Sequence, residues 1–169
     1  MPGVSRRDSA FLDTYLPYVL RRADQTLSAP FYVVLTQHGI ARSEWRLLAV
    51  LEDLGELSVL DLAAESLSPH PTVTHALRRL EKRGLIARTT GEHDKRQRFI
   101  SITPAGSELT TTLIAEAQRL ETDALADVHD DHDGDAELGD LDELISRLRV
   151  LTARLEARSS TTAEETEAG

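Results

Sequence analysis

The sequence predicts a mainly α fold: a lobe of three short helices closed by a two-stranded hairpin, flanked by long N- and C-terminal helices. Three observations predict it. Apolar residues recur at three- and four-residue steps over long stretches at both ends of the chain. Three shorter helical segments in the middle each carry their own capping and stop residues. Past Gly84 the apolar period drops from about 3.6 to about 2, for two short runs only. The chain has 169 residues, 40% of them apolar, and no cysteine. At this length folding buries roughly 70% of the unfolded surface, enough for a core without disulfide or structural metal. The lack of cysteine excludes thiolate metal ligands, a catalytic thiol and a thiol redox switch.

From Pro17 to His38 the apolar positions Val19, Leu20, Ala23, Leu27, Phe31, Val34 and Leu35 describe one helical stripe, with Gly39 as C-terminal cap. Pro30 inside it is expected to kink the helix or split it in two. Residues 9–16 predict a short preceding helix. Ser43 is expected to cap a helix carrying Leu47, Leu48, Val50, Leu51 and Leu54, which Gly55 stops. Ser58 and Asp61 form a capping box, with Leu57 and Leu62 as the hydrophobic staple across it. A third helix starts near Ser68-Pro69-His70-Pro71, with Ser68 as cap, and ends at Gly84. LIARTT and RQRFISIT then read as antiparallel strands joined by the polar tip GEHDK. Thr103-Pro104 opens a helix with Leu109, Leu113, Ala117, Leu120, Ala124 and Val128 on one stripe. After the acidic segment HDDHDGDAELGD comes a last helix bearing Leu141, Leu144, Ile145, Leu148, Leu151 and Leu155. The tail, residues 158–169, has too little apolar surface to offset its ordering entropy and is expected to be disordered.

Three short helices followed by a two-stranded hairpin describe a winged helix-turn-helix lobe, whose third helix is the recognition helix. At about 100° per residue, Val73, Ala76, Leu77 and Leu80 share one apolar face. Pro71, His75, Arg78 and Lys82 lie opposite, flanked by Thr72, Thr74 and Arg79. Those side chains suit a major groove: Arg bidentate to guanine, a Thr methyl against thymine, Lys on phosphate. The hairpin carries Asp94, Lys95, Arg96 and Arg98. A wing-tip arginine can enter the narrow minor groove, and an acid two residues earlier can orient it. Charge supports this placement. Residues 70–98 hold eight Lys/Arg against three acids in a chain of net charge -10, whereas residues 121–143 hold eleven acids and no Lys or Arg. With a Debye length of about 8 Å, a distant acidic segment does not cancel the basic one.

The run from Glu44-Trp45 through SVLDLAAESLSPHPTVTHALRRLEKRGLIARTTGEHDKRQRFISITPAG resembles the multiple antibiotic resistance regulator (MarR) family of bacterial transcription factors. The specific part is TVTHALRRLEKRGLI, then Asp-x-Arg, then ISITPAG, in that order; with the flanking helices the resemblance covers roughly residues 12 to 157. It implies a homodimer built through the terminal helices of both chains, with two winged lobes on a pseudopalindromic operator in double-stranded DNA. It places Thr72, Thr74, His75 and Arg78 on the groove-reading helix and Asp94 and Arg96 on the wing motif. His75 stands where many relatives have Arg. The expected division is 1–39 for N-terminal dimerisation helices, 40–103 for the DNA-binding lobe, 104–157 for C-terminal dimerisation helices and 158–169 for the tail. Apolar stripes too long for one small winged lobe to cover support a dimer independently.

Many members hold a small anionic or aromatic effector between lobe and dimer helices, and Tyr15, Tyr18, His38, Trp45 and Arg46 lie on segments able to line such a cleft. His129 and His132, with the neighbouring carboxylates, could share a divalent ion at i and i+3 on a helix; Gly134 favours the simpler reading of an acidic loop. No cofactor is expected. There is no phosphate-binding glycine loop and no nucleophile-base arrangement, so the chain is not expected to be an enzyme. No signal core and no run of about 18 apolar residues appears, so the expected location is the cytoplasm, away from membranes. The alternative of a different class is a winged-helix protein-interaction module that binds no DNA.

Overall fold

The computed structural model describes residues 10–90, 98–130 and 141–167. It is mainly helical and falls into two units, Met1–Ala124 and Leu125–Gly169. In the first, α1 (Ala10–Thr14) leads into α2 (Leu16–Gln37), α3 (Arg42–Leu54), a two-residue strand β1 (Leu57–Ser58), α4 (Val59–Glu65), α5 (His70–Lys82) and the strands β2 (Ile86–Thr90) and β3 (Arg98–Ile102). Helix α6 (Pro104–Asp130) continues into the second unit, which also holds α7 (Leu141–Glu167).

Pro30 lies inside α2 and does not split it. Proline costs one backbone hydrogen bond and crowds the carbonyl four residues back, but Phe31 and Leu35, which follow, are buried in the core and hold the last turns in register. The helix stops where the sequence places Gly39, which has φ +64°. Ile40 N–H donates to the Leu35 carbonyl at 2.9 Å and Gly39 N–H to Thr36 at 3.0 Å, the paired bonds of a Schellman turn. Gly84, at φ +69°, ends α5 the same way, with Leu85 N–H on Leu80 at 3.0 Å and Gly84 N–H on Glu81 at 2.9 Å. The turn after α4 repeats the pattern with Leu67 at φ +50°, a left-handed conformation that is unfavourable for a side chain larger than Gly.

Two caps differ from the sequence reading. The first helical residue of α3 is Arg42 and its cap is Ala41, not Ser43. Alanine has no side-chain acceptor, so the end is held from within, by the Glu44 carboxylate accepting the Ala41 N–H at 2.7 Å. Helix α5 is capped by Pro69, and the Ser68 hydroxyl donates to the Ser66 carbonyl at 3.0 Å instead. At α4 half of the expected box is present: Asp61 N–H donates to Ser58 Oγ at 3.1 Å, while the Asp61 carboxylate accepts the Ser58 hydroxyl at 2.6 Å in place of a backbone N–H.

The hairpin is antiparallel, pairing Ile86 with Ile102, Arg88 with Ile100 and Thr90 with Arg98. It is one strand wider than expected, because β1 adds to the far edge of β3 and gives the order β1-β3-β2. Two residues cannot show an apolar period, so this strand left no signal.

One core joins these elements. Leu47, Leu48 and Leu51 of α3, Leu62 of α4, Val73, Leu77 and Leu80 of α5 and Ile100 of β3 are buried together with Phe31 and Leu35 of α2 and Leu113 of α6. Both long helices are thus rooted in the lobe. The root of α6 is tight. Thr103 N–H donates to the Leu85 carbonyl at 3.0 Å, its hydroxyl donates to the Gly84 carbonyl at 2.7 Å, and Thr103 Oγ1 accepts Gly106 N–H at 3.1 Å. A Cβ on Gly106 would stand 2.0 Å from the Leu85 carbonyl oxygen, so only glycine fits.

Helix α7 runs through Glu167, well into the tail that composition alone makes disordered. Ala, Glu and Arg are strong helix formers, and propagation from an existing helix costs far less than nucleation.

Gly106→Ala is expected to lower the unfolding free energy by about 1–3 kcal/mol or more, the range for overpacking a filled site. Thermal unfolding of the two proteins side by side checks this; an unchanged midpoint would mean that α6 does not sit against Leu85 as described.

Candidate nucleic-acid interface

Helix α5 is oriented by its apolar side. Val73, Ala76, Leu77 and Leu80 are all buried, at most 3% exposed. That leaves Pro71, Thr72, His75, Arg78, Arg79 and Lys82 exposed on the remaining arc, with Thr74 half-buried at its edge. The Thr74 hydroxyl donates to the His70 carbonyl at 3.1 Å, which leaves its methyl as the contact group. Arg98, at the start of β3, is exposed and pairs in register with Thr90. Seven of the ten residues singled out by sequence therefore lie on α5 or β3 with at least part of their surface accessible. The other three, Asp94, Lys95 and Arg96, lie outside the described residues, in the segment between β2 and β3.

The basic residues of this region divide into two sets. Arg83 Nη1 and Nη2 donate to the carbonyls of Gly39 and His38 at 2.7 and 3.1 Å, closing the C-terminal end of α2. Arg88 Nε donates to Glu81 Oε2 at 2.9 Å, fastening β2 to the end of α5. These two are structural. Among the described residues, Arg78, Lys82 and Arg98 have no carboxylate within ion-pair distance and remain available to an outside anion. Arg79 is intermediate: exposed, yet with Nε 2.8 Å from Oε1 of the buried Glu44. Sequence reasoning missed Glu44 as part of this region, since an acid in a first helical turn looks like an ordinary cap.

The aromatic and basic residues considered for an effector cleft are dispersed in role. Tyr15 stacks on Phe11 with ring centroids 5.0 Å apart, and Trp45 meets Phe31 edge-on at 5.0 Å against the core. His38 is the C-cap of α2, with Nδ1 3.0 Å from the Val34 carbonyl oxygen; Tyr18 and Arg46 are exposed. None of the five lines the open groove between α2 and α3, which is formed by Ala29, Tyr32, Val33, Thr36, Gln37 and Arg42. In it the Arg42 guanidinium lies 3.5 Å above the Tyr32 ring. Only the reversal at Gly39 brings these two together, so no local pattern announces the pair. Among the described residues no three His, Asp or Glu side chains are grouped to hold a metal ion, and residues 131–140, with His132, lie outside them. No helix among them is long and apolar enough to cross a membrane.

Known proteins share this arrangement. A sequence profile described as the MarR family matches residues 38–97. The chain is similar to the MarR family transcriptional regulator SPO1453 of Silicibacter pomeroyi DSS-3, with 30% identity, a TM-score of 0.69 and coverage of 86% of this chain and 98% of that one. It is also similar to NadR, solved in complex with 4-hydroxyphenylacetate, with 30% identity, a TM-score of 0.66 and coverage of 92% and 97%. With the HTH-type transcriptional regulator FarR of Neisseria gonorrhoeae it is 33% identical over 90 residues, which span 53% of this chain and 62% of FarR. A winged helix-turn-helix lobe with rooted long helices, matched over nearly the whole length of a MarR regulator at this identity, makes the chain a member of the MarR family of transcriptional regulators.

Proposed function

We propose that this protein is a homodimeric DNA-binding repressor acting on chromosomal DNA in the cytoplasm. Each protomer seats the outer arc of α5 in the major groove of one operator half-site and extends the β2–β3 tip to the neighbouring minor groove. The observation that carries this reading is the outward arc of α5. Arg78 and Lys82 are unpaired among the described residues and flanked by Thr72, Thr74 and His75, while the one acid at that end, Glu81, is taken up by Arg88. Such an arc can neutralise phosphates and donate to base edges, and offers nothing that would repel a polyanion. Residues 40–103 form the DNA-binding lobe in this reading. Residues 1–39 and 104–157 provide the dimer contacts, supported by the apolar side chains left exposed on one chain: Leu16, Val19, Leu20 and Leu27 on α2, and Leu144, Ile145, Val150, Leu151 and Leu155 on α7. Stable dimers bury about 800 Å² per partner. Two-fold symmetry then sets the half-sites about one helical turn, 10–10.5 bp, apart.

Release by a small aromatic or anionic molecule completes the proposal. It is supported by the 4-hydroxyphenylacetate complex of NadR and by the groove between α2 and α3, where a guanidinium, Arg42, lies among the partly apolar side chains of Ala29, Tyr32 and Val33. A ligand that binds better to a lobe spacing unsuited to the operator lowers DNA affinity in proportion to that preference.

An electrophoretic shift with the DNA upstream of the chain's own gene tests the reading. Arg78→Ala and Arg96→Ala are each expected to weaken binding by about 1–3 kcal/mol per contact. Unchanged affinity in both would favour the protein-interaction alternative. For four to five phosphates neutralised per protomer, log K should fall against log salt with a slope of roughly -7 to -9. A slope near zero would show that phosphates are not what the basic arc binds.

A further inference from the structure

Glu44 is the most deeply buried acid of the lobe, 1% exposed, and it sits on α3 rather than on the recognition helix. Its two oxygens are differently committed. Oε2 accepts the Ala41 N–H at 2.7 Å, which fixes the carboxylate at the start of α3. Oε1 is buried and receives no aligned hydrogen bond; its partner is the charge of Arg79, whose Nε stands 2.8 Å away. A buried carboxylate so placed is costly unless a cation stays beside it. The Arg79 side chain nevertheless remains 65% exposed. A guanidinium is planar and rigid, with donors on both edges. Held 2.8 Å from a carboxylate that Ala41 fixes, the guanidinium is confined to a small region of the surface, and its edge with the two terminal nitrogens has no partner among the described residues.

We propose that the buried Glu44 holds Arg79 as a pre-oriented fork for a DNA backbone phosphate, which makes Glu44, on α3, a positioning residue for operator binding. Phosphate rather than a base edge is the partner because of where Arg79 stands on α5. Arg78 and Lys82 occupy the middle of the exposed arc, whereas Arg79 lies about 100° further round from Arg78, on the flank that faces α3. With the middle of the arc over the base edges, the flank meets the sugar-phosphate strand. A fork matched to two oxygens of one phosphate binds it bidentately, and fixing it beforehand removes the rotamer entropy that a free arginine loses on binding. This inference rests on the DNA-binding reading above and adds to it a residue that touches no DNA.

The test is the operator affinity and salt dependence of the full chain and of Glu44→Gln, Arg79→Lys and the double variant, at a temperature where circular dichroism shows each folded. Glu44→Gln keeps the shape and the bond from Ala41 while removing a negative charge. Plain electrostatics, or a purely structural role, would leave DNA affinity unchanged or raise it. The proposal expects the opposite sign, a loss of about 5- to 10-fold, in the range of one charge-assisted contact. Arg79→Lys, at an exposed position that does not endanger folding, keeps the charge without the fork and should lose a similar factor. The double variant should bind no worse than the weaker single variant, because the two residues act as one. Arg79→Gln combined with Glu44→Gln, which strands no buried charge, should also reduce the salt slope by about one for each protomer. Wild-type affinity in Glu44→Gln or in Arg79→Lys, or losses that multiply in the double variant, would overturn the proposal. If Arg78→Ala weakens binding while those variants do not, the regulator reading stands and this inference alone falls. Failure of the unaltered chain to bind any duplex would remove both.

Discussion

The burial of one apolar stripe on α5 is the constraint from which the rest of the lobe follows. Val73, Ala76, Leu77 and Leu80 are out of water, packed into a core shared with α3, α4 and β3. Each buried Val or Leu side chain is worth about 1.5–3 kcal/mol relative to exposure. Rotating the helix by half a turn would forfeit these terms and place Arg78 and Lys82 in the core, at a desolvation cost larger still. The rotation of α5 about its own axis is therefore fixed by its hydrophobic residues, although its polar residues carry the functional argument. The cationic arc needs no contacts of its own to point outward.

A second layer of interactions fixes where α5 ends and what moves with it. Gly84 stops the helix, Arg83 reaches back to the last carbonyls of α2, Arg88 ties β2 to Glu81, and Thr103 seats the start of α6 against Gly84 and Leu85. Within two residues of its C-terminal end α5 is thus joined to α2, to α6 and to the hairpin. Interfaces this closely packed shift as bodies rather than deform continuously. A ligand that alters the relation of α2 and α3 in the Tyr32–Arg42 groove acts on the same joint. Under the proposed function, this joint is the route by which a ligand in that groove changes what the lobe presents to DNA.

Much of this was legible in the sequence because it is local. Gly39, Gly55 and Gly84 end their helices through backbone conformations that glycine adopts freely, and Ser58 with Asp61 announces a cap three residues wide. The two faces of α5 follow from spacing alone, and the existence of β2 and β3 follows from alternation. What escaped is what depends on distant chain. Whether Pro30 breaks α2 is decided by how firmly Phe31 and Leu35 are packed. Whether Ser43 or Ala41 caps α3 is decided by a carboxylate that folds back, and the burial of that carboxylate by an arginine 35 positions later. In the sequence the spacing sets Arg78 apart from the flanking Arg79, but nothing tells what holds either of them or Arg83. In the fold one is open to solvent, one is held by Glu44 and one closes another helix. Strand β1 is too short to have a period, and the extension of α7 to Glu167 reflects propagation from an established helix, which composition of the tail by itself does not encode.

The central claim is that the outward arc of α5 meets DNA. Amide hydrogen exchange of the full chain, with and without a duplex carrying its operator, tests it most directly. The account predicts slowed exchange in the α4–α5 turn, the first turns of α5 and the two strands that lead to the hairpin tip, fading as salt is raised. Protection that left α5 unchanged and arose instead along α7 would contradict it.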